Sequence, residues 1–120
     1  VSREGINIRH MVPEDIGEEV DLVVIDVSFI SLTLILGPIF EVLKPQGEVV
    51  CLIKPQFELR RDQIGKGGIV REPDLHQEAV EKIRSFVGGD LGKSWQGLTQ
   101  SPISGRDGNI EFLAWLKHPE

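Results

Sequence analysis

The sequence is poor in the features that mark three large classes of protein. Its single cysteine, Cys51, cannot form an internal disulfide, which excludes a disulfide-stapled fold and fits the reducing cytoplasm. No apolar run reaches the roughly 20 residues that a membrane-spanning helix needs. The three histidines, His10, His76 and His118, lie far apart and lack the spacing of metal ligands, so we expect no metal site.

The chain also lacks the excess of positive charge that is typical of a general nucleic-acid binder, because its formal net charge is −6. The average hides a local reversal, since residues 54–71 contain five basic and two acidic side chains. This basic loop on an otherwise acidic chain is a candidate site for a polyanion. The alternative is a solvated loop whose charge has no partner.

Two apolar segments are typical of strands that are buried on both faces of a parallel sheet, residues 21–26 and residues 49–53. Between them, residues 32–43 are apolar nearly all round and predict a buried helix. Pro38 should kink that helix or mark its true start. The order strand, helix, strand predicts a right-handed parallel crossover.

The second half of the chain predicts a helix followed by two strands. Asp74 has the character of a helix N-cap, with Gln77 three residues later as in a capping box. Residues 94–99 and 110–116 should pair as a hairpin, which makes the last strand antiparallel to its neighbours. Smaller predicted features are a short strand at 6–11, helix N-caps at Ser28 and Ser31, a turn at 44–47 and a helix end at Gly88-Gly89.

Three charged side chains should meet at one edge of this sheet. Asp26 and Lys54 each end a predicted parallel strand, at the edge where open α/β sheets bind ligands. Glu111 begins the antiparallel last strand and should lie at the same edge. A neutral lysine there could take a proton from a hydroxyl. Alternatively, Asp26 caps the following helix, Lys54 extends into water, and Glu111 is a surface residue.

Four segments resemble one known family: residues 21–31, 52–58, 65–71 and 108–113. They are similar to the TlyA family, haemolysin-like RNA 2′-O-ribose methyltransferases with an FtsJ-like domain, and the likeness extends over nearly the whole chain. The resemblance implies part of a Rossmann-like, S-adenosylmethionine-dependent methyltransferase fold of the α/β class. Here the sheet should be mostly parallel with an antiparallel last strand. The implied substrate is ribosomal RNA, free or in a ribosomal subunit, in the cytoplasm.

The family also implies a catalytic Lys-Asp-Lys-Glu tetrad. Asp26 resembles the tetrad aspartate, which also faces the cofactor, Lys54 resembles the second lysine, and Glu111 resembles the glutamate. By the same resemblance, the basic loop would contact RNA phosphates through four side chains, Arg60, Arg61, Lys66 and Arg71.

Two family features have no counterpart in this sequence, the glycine-rich cofactor loop and the first lysine of the tetrad. We therefore interpret residues 1–120 as the carboxyl-terminal part of a single FtsJ-like domain in a longer enzyme. The chain alone should then bind S-adenosylmethionine weakly or not at all, be inactive, and self-associate through an exposed sheet edge. Two other functions stay open, a haemolysin or cytotoxin acting on membranes and a non-catalytic α/β interaction module.

Overall fold

A computed structural model describes residues 20–102 and 108–119 of the chain, so the predicted strand at 6–11 lies outside the described residues. The elements are β1 (Val20–Ile25), α1 (Leu36–Val42), β2 (Leu43–Ile53), α2 (Pro55–Glu58), α3 (Pro73–Ser85), β3 (Ser94–Gln100) and β4 (Phe112–Lys117). Short 3₁₀ turns cover Leu32–Leu34, Arg61–Gln63 and Lys66–Gly68, and a π-helical turn covers Phe86–Asp90.

The described strands form one mixed sheet in the order β1-β2-β4-β3. β1 and β2 are parallel, while β4 is antiparallel to both β2 and β3. The α/β class, the parallel crossover and the antiparallel last strand are thus confirmed. The described sheet is mixed rather than mostly parallel, because β4 is antiparallel to both of its neighbours and only β1 and β2 pair in parallel, while β3 and β4 form the predicted hairpin.

The crossover between β1 and β2 follows the apolar pattern of the sequence, with a shorter helix than predicted. Ser31 begins the segment as an N-cap, because its Oγ accepts a hydrogen bond from the amide of Thr33 at 3.1 Å. After the first 3₁₀ turn, α1 starts at Leu36, and Pro38 lies in its first turn. A proline is tolerated there because the first amide groups of a helix have no partner within the helix. Of the two predicted roles for Pro38, the structure thus supports the second, a position at the start of the helix.

The turn predicted at residues 44–47 lies within the bounds of β2. The pairing with β1 jumps at this point, from Val20 opposite Leu43 to Leu22 opposite Glu48. The intervening residues depart from the regular register without ending the strand. Pro45 cannot donate to a ladder, which is a physical reason for an irregularity at this position.

The bounds of α3 differ from the prediction at both ends. Its N-cap is Glu72 rather than Asp74, and Pro73 occupies the first helical position, where its fixed φ suits the helix. Asp74 lies in the first turn, where a carboxylate favours the positive end of the helix dipole. Gly88-Gly89 does not end the helical path, which continues through the π-helical turn to Asp90.

The core lies between the sheet and the two longer helices. One face of the sheet packs against α1 and α3, and its strand residues are almost fully buried: Val23, Ile25, Val49, Cys51, Ile53, Ala114 and Leu116. Burial, with a smaller contribution from the charge of Glu58, raises the pKa of the Cys51 thiol to about 12. This cysteine is therefore a packing residue rather than a nucleophile.

Candidate active site at the carboxyl edge of the sheet

The structure brings Asp26 and Lys54 into direct contact. Because β1 and β2 are parallel and Ile25 lies opposite Cys51, both strands end at the same edge of the sheet. The Nζ of Lys54 donates to Oδ1 of Asp26 at 2.5 Å, and it also lies 3.3 Å from the Oγ of Ser28. The sequence predicted this convergence from topology alone.

The two members of this pair differ in their access to solvent. The side chain of Lys54 is 10% exposed, whereas that of Asp26 is 41% exposed. Lys54 therefore does not extend into water as one alternative required, and the cap of the following 3₁₀ turn is Ser31 rather than Asp26. A molecule approaching this edge would reach the carboxylate first and the lysine nitrogen behind it.

The short helix α2 fixes the backbone that directly follows Lys54. Pro55 is its first residue, and the carbonyl of Lys54 accepts a hydrogen bond from the amide of Phe57 at 2.9 Å. Lys54 itself keeps an extended conformation, with φ −111° and ψ 100°. Its side chain is thus fixed at the point where the strand ends and the helix begins.

Glu58 connects this turn to two other elements, and the sequence reasoning missed it. Its carboxylate accepts hydrogen bonds from the Oγ of Ser31 at 2.6 Å and from the amide of Leu32 at 2.9 Å. Lys82 of α3 pairs with the same carboxylate at 3.2 Å and donates to the Glu58 carbonyl at 2.7 Å. The available signal was an acid four residues after Lys54, next to an apolar segment.

Glu111 lies at the same edge but has no contact with the lysine nitrogen. β4 pairs with β2 so that Phe112 lies opposite Ile53, and Glu111 and Lys54 are the residues that adjoin this last pair at the same edge. Glu111 is only 7% exposed, so it is not a surface residue. Its carboxylate makes no hydrogen bond or ion pair with any residue in the described ranges. The structure therefore places the third predicted residue beside the pair rather than within it.

The basic residues of the loop after α2 are mostly exposed. Arg60 and Arg61 are exposed, and Nε of Arg60 donates to the exposed carboxylate of Asp62 at 3.1 Å. A β-carbon on Gly65 would lie 2.6 Å from the backbone carbonyl oxygen of Ile69 and 2.7 Å from a guanidinium nitrogen of Arg71. Gly65 is thus required by a close approach. The backbone of Lys66 belongs to the 3₁₀ turn in the same loop.

A cavity of about 410 Å³ is lined by residues that follow the two members of the pair along the chain, with Phe29 after Asp26 and Gln56 after Lys54. Its lining is partly aromatic and partly polar: Phe29, Gln56, Phe57, Ile64, Gly67, Gly68 and Asn109. The rings of Phe29 and Phe57 contact each other with their centroids 4.9 Å apart. Phe29 also has a left-handed backbone (φ 65°), which costs a residue with a β-carbon about 1–3 kcal/mol and is found mainly at functional sites.

Two other kinds of site, a metal centre and a membrane-spanning helix, are absent from the part of the chain that the structure describes. No group of three or more histidine, cysteine, aspartate or glutamate side chains is arranged to hold a metal ion there. Within the same ranges, no helix is long and apolar enough to cross a membrane.

Comparison with known proteins identifies the family. Residues 1–118 match the sequence profile of FtsJ-like methyltransferases. The chain belongs to the FtsJ-like methyltransferase family. It is 43% identical over 120 residues to YqxC of Bacillus subtilis, named as a candidate rRNA methyltransferase. It is 40% identical over 114 residues to the 16S/23S rRNA (cytidine-2′-O)-methyltransferase TlyA of Mycobacterium tuberculosis.

The relatives are longer than this chain. It covers 42% of YqxC and 42% of TlyA, while 99% and 95% of its own residues are matched. A crystal structure of a candidate hemolysin from Lactococcus lactis superposes with a TM-score of 0.87 at 49% identity, covering 97% of this chain and 55% of that one. The corresponding protein of Streptococcus thermophilus gives 0.89 at 47% identity, covering 100% and 43%. The resemblance to the TlyA family and its fold is confirmed.

Proposed function

We propose that this FtsJ-like chain carries part of the catalytic site of an rRNA 2′-O-ribose methyltransferase that uses S-adenosylmethionine. The family and the name of the TlyA relative support this reaction. The single observation that carries it is the buried Lys54 held by the accessible carboxylate of Asp26 at the carboxyl edge of the sheet. That arrangement fixes the position of the lysine nitrogen and leaves an accessible carboxylate that can receive a hydroxyl.

Lys54 in its neutral form would remove the proton from the ribose 2′-hydroxyl while the hydroxyl oxygen forms its bond to the methyl carbon. Asp26, 2.5 Å away, would stabilise the ammonium that results. S-adenosylmethionine, when bound, would supply the methyl group from its sulfonium, whose carbon–sulfur bond breaks and leaves a neutral thioether. Of the residues present, the accessible carboxylate of Asp26 fits that positive group. Alignment of the hydroxyl by Asp26 and Ser28 would contribute much of the rate.

The remaining predicted residues have supporting roles in this proposal. Glu111 would position Lys54 from the opposite strand once the ribose is bound. Four side chains of the basic loop would contact the phosphates of ribosomal RNA, Arg60, Arg61, Lys66 and Arg71. The substrate, free rRNA or a ribosomal subunit, makes the cytoplasm the predicted location.

Because the chain spans less than half the length of YqxC and TlyA, we predict that its 120 residues alone bind S-adenosylmethionine weakly and do not methylate RNA. The position of the chain as a carboxyl-terminal part of one domain stays a prediction. Self-association through an unpaired strand edge also stays a prediction, and sedimentation at several concentrations would test it.

The decisive experiment is transfer of a tritiated methyl group from S-adenosylmethionine to ribosomal RNA by the full-length protein. Replacing Lys54 by methionine removes the proton acceptor and keeps much of the volume, so turnover should fall by about 100-fold to 10,000-fold. The matched control is Lys82→Met, which removes the lysine of the second pair and should leave turnover within a few-fold. Near wild-type turnover of Lys54→Met would exclude Lys54 from the mechanism.

A second candidate function, damage to membranes, rests on the names of similar proteins. Hemolysin A of Brachyspira hyodysenteriae is 41% identical over 115 residues, and both structural neighbours are named as candidate hemolysins. The described residues contain no helix suited to crossing a bilayer. We expect no release of dye from liposomes at micromolar protein, and release that Lys54→Met leaves unchanged would instead favour a membrane activity.

A further inference from the structure

Side chains from two distant elements bind both backbone polar groups of Val70, a residue of the basic loop. The Val70 amide donates to Oδ1 of Asn109 at 2.9 Å, and the Val70 carbonyl accepts from Nε2 of His76 at 2.8 Å. A carbonyl oxygen can only accept, so Nε2 of His76 carries a proton. All three residues are buried, and we call Asn109 and His76 together the Val70 clamp. Buried hydrogen-bonded groups of this kind are costly to separate.

The side-chain amide of Asn109 acts in the place of a neighbouring strand. Its Nδ2 also donates to the carbonyl of Gly68 at 2.9 Å, so its two bonds flank Ile69. The peptide group of a parallel neighbouring strand makes the same pair of bonds. The ladder between β2 and β4 ends at Phe112, which comes after Asn109 in the chain. Asn109 thereby attaches residues 68–70 to the chain that leads into β4.

The attached segment also closes on itself. The amide of Gly65 donates to the carbonyl of Ile69 at 3.0 Å, and the amide of Gly68 donates to the carbonyl of Gly65 at 3.1 Å. The Val70 clamp joins this closed loop to α3 on one side and to the start of β4 on the other. The backbone of the residue that follows Val70 is therefore held against both the helix and the sheet.

That residue is Arg71, which has no internal charge partner. It is exposed, and it makes no ion pair or hydrogen bond with any residue in the described ranges. Two other arginines differ from it, since Arg60 pairs with Asp62 at 3.1 Å and Arg84 lies 3.9 Å from Glu81. A guanidinium binds a phosphate through two parallel N–H bonds. Arg71 is thus a cation on a fixed backbone that stays available to such a group.

The clamp also connects the loop to the carboxyl edge of the sheet. Asn109 precedes Glu111 by two residues, and the carbonyl of Glu111 accepts from the amide of Ser101 at 2.8 Å. This stretch of backbone is therefore fixed by the chain that follows β3. Asn109 and Gly68 also line the cavity of about 410 Å³. A nucleotide bound at this edge would meet loop residues whose position the clamp sets.

We propose that Asn109 and His76 are positioning residues for rRNA, because through Val70 they hold Arg71 where its guanidinium binds a backbone phosphate. This inference rests on the proposed function and deepens it, since it names the residues that act through the loop. Phosphate contacts fix the register of a nucleic acid on a protein without reading its bases. Loss of the clamp should therefore weaken rRNA binding and raise KM, while kcat stays within a few-fold of the wild type.

The first test examines the clamp without RNA, by amide hydrogen exchange in the full-length protein followed by NMR. After correction for intrinsic rates, the buried amide of Val70 should exchange at least about tenfold more slowly than the amide of Gly67, the effect of one hydrogen bond. Gly67 belongs to the same loop and is exposed. Equal exchange at the two amides would mean that the clamp does not hold the loop and would overturn the inference.

The second test measures the affinity of the full-length protein for ribosomal RNA by filter binding at several KCl concentrations. Arg71→Met should weaken binding by about tenfold and lower the slope of log Kd against log salt by about one, the loss of one phosphate contact. Asn109→Leu removes both side-chain bonds and keeps the volume, so it should lower the slope equally. The double variant should differ little from Arg71→Met. Additive losses would mean that Asn109 acts elsewhere and would overturn the inference.

The histidine of the clamp provides a second pair of variants, which decides the question if Asn109→Leu does not fold. His76→Gln keeps an N–H donor near the position of Nε2 and should keep the salt slope, whereas His76→Leu removes the donor and should lower it. The matched control is His118→Leu, which removes a similar contact at 3.1 Å with the carbonyl of Leu43, at the opposite edge of the sheet. Equal slopes in these three variants would overturn the inference.

These measurements separate the inference from loss of folding and from the proposed function. Incomplete folding of a variant scales its apparent affinity equally at every salt concentration and leaves the slope unchanged. A fall in kcat with unchanged KM in Asn109→Leu, or rRNA binding that does not depend on Arg71, would overturn the inference. Absence of methyl transfer by a wild-type protein that binds rRNA through Arg71 would count against the proposed function alone.

Discussion

The molecule contains two lysine–carboxylate pairs that are opposite in burial. In the first, the lysine is buried and the carboxylate is accessible, with Lys54 10% exposed and Asp26 41% exposed. In the second, Lys82 is 41% exposed and the carboxylate of Glu58 is 2% exposed. The same two chemical groups therefore form a site that a substrate can reach in one case and an internal link between elements in the other.

The difference lies in what else each buried group contacts. Glu58 accepts from a hydroxyl, a backbone amide and a lysine, so its charge is compensated inside the protein. The nitrogen of Lys54 has two described partners, Asp26 and Ser28, and the nearer one faces solvent. Loss of a buried charge that several protein groups contact leaves those groups unpaired, whereas a buried charge whose nearest partner is accessible is suited to react with a bound molecule.

The largest effect should come from neutralising the accessible carboxylate. Asp26→Asn keeps the shape and a hydrogen-bonding group but removes the charge that stabilises the protonated lysine. We expect kcat of the full-length protein to fall by about 100-fold or more, with the KM for rRNA little changed. Tritiated methyl transfer under saturating cofactor would measure this, and an effect confined to KM would place Asp26 in substrate binding alone.

The next effect should appear in stability and at the other pair. Glu58→Ala removes the carboxylate that Ser31, Leu32 and Lys82 share, so the free energy of unfolding should fall by about 3 kcal/mol. Asp26→Ala, the matched change at an accessible carboxylate, should cost less than Glu58→Ala, because solvent can reach the position that the carboxylate leaves beside Lys54. Urea unfolding at pH 7 gives both values. The comparison between the pairs fails if the two variants lose equal stability.

A smaller effect is expected when the exposed partner is removed. Lys82→Met should lower the free energy of unfolding by less than about 1 kcal/mol, because Ser31 and the amide of Leu32 still compensate the carboxylate and solvent screens the lysine. The same urea titration measures it. A loss as large as that of Glu58→Ala would show that Lys82 is the main partner.

The smallest effect should be seen at Cys51. Its thiol has a pKa of about 12, raised mainly by burial and to a lesser degree by Glu58. Since the folded protein holds this proton more tightly than the unfolded chain, the contribution to stability is full below about pH 9 and is lost as the pH rises toward 12. Iodoacetamide at pH 8 should therefore modify Cys51 only through unfolding. Glu58→Gln should speed the reaction by no more than its loss of stability accounts for, and modification faster than unfolding would contradict the burial.

The two faces of the sheet show one limit of what a sequence pattern can predict about burial. The apolar runs of β1 and β2 predicted strands buried on both faces, and this prediction is wrong for the described sheet, because only the face under α1 and α3 is buried. On the opposite face, Leu22, Val24 and Trp115 are 41–43% exposed. A period of two assigns residues to a face, but it does not say which elements cover that face.

What the sequence by itself determined is the order of the elements and the edge at which Asp26 and Lys54 meet. Those follow from local rules, since β-branched runs form strands, a crossover makes them parallel, and parallel strands end together. Only the tertiary structure decided that Lys54 is buried behind Asp26 and that Glu58 links three segments. Burial and hydrogen bonding in each case depend on neighbours about 25 or more residues away along the chain, and no local pattern encodes their distances.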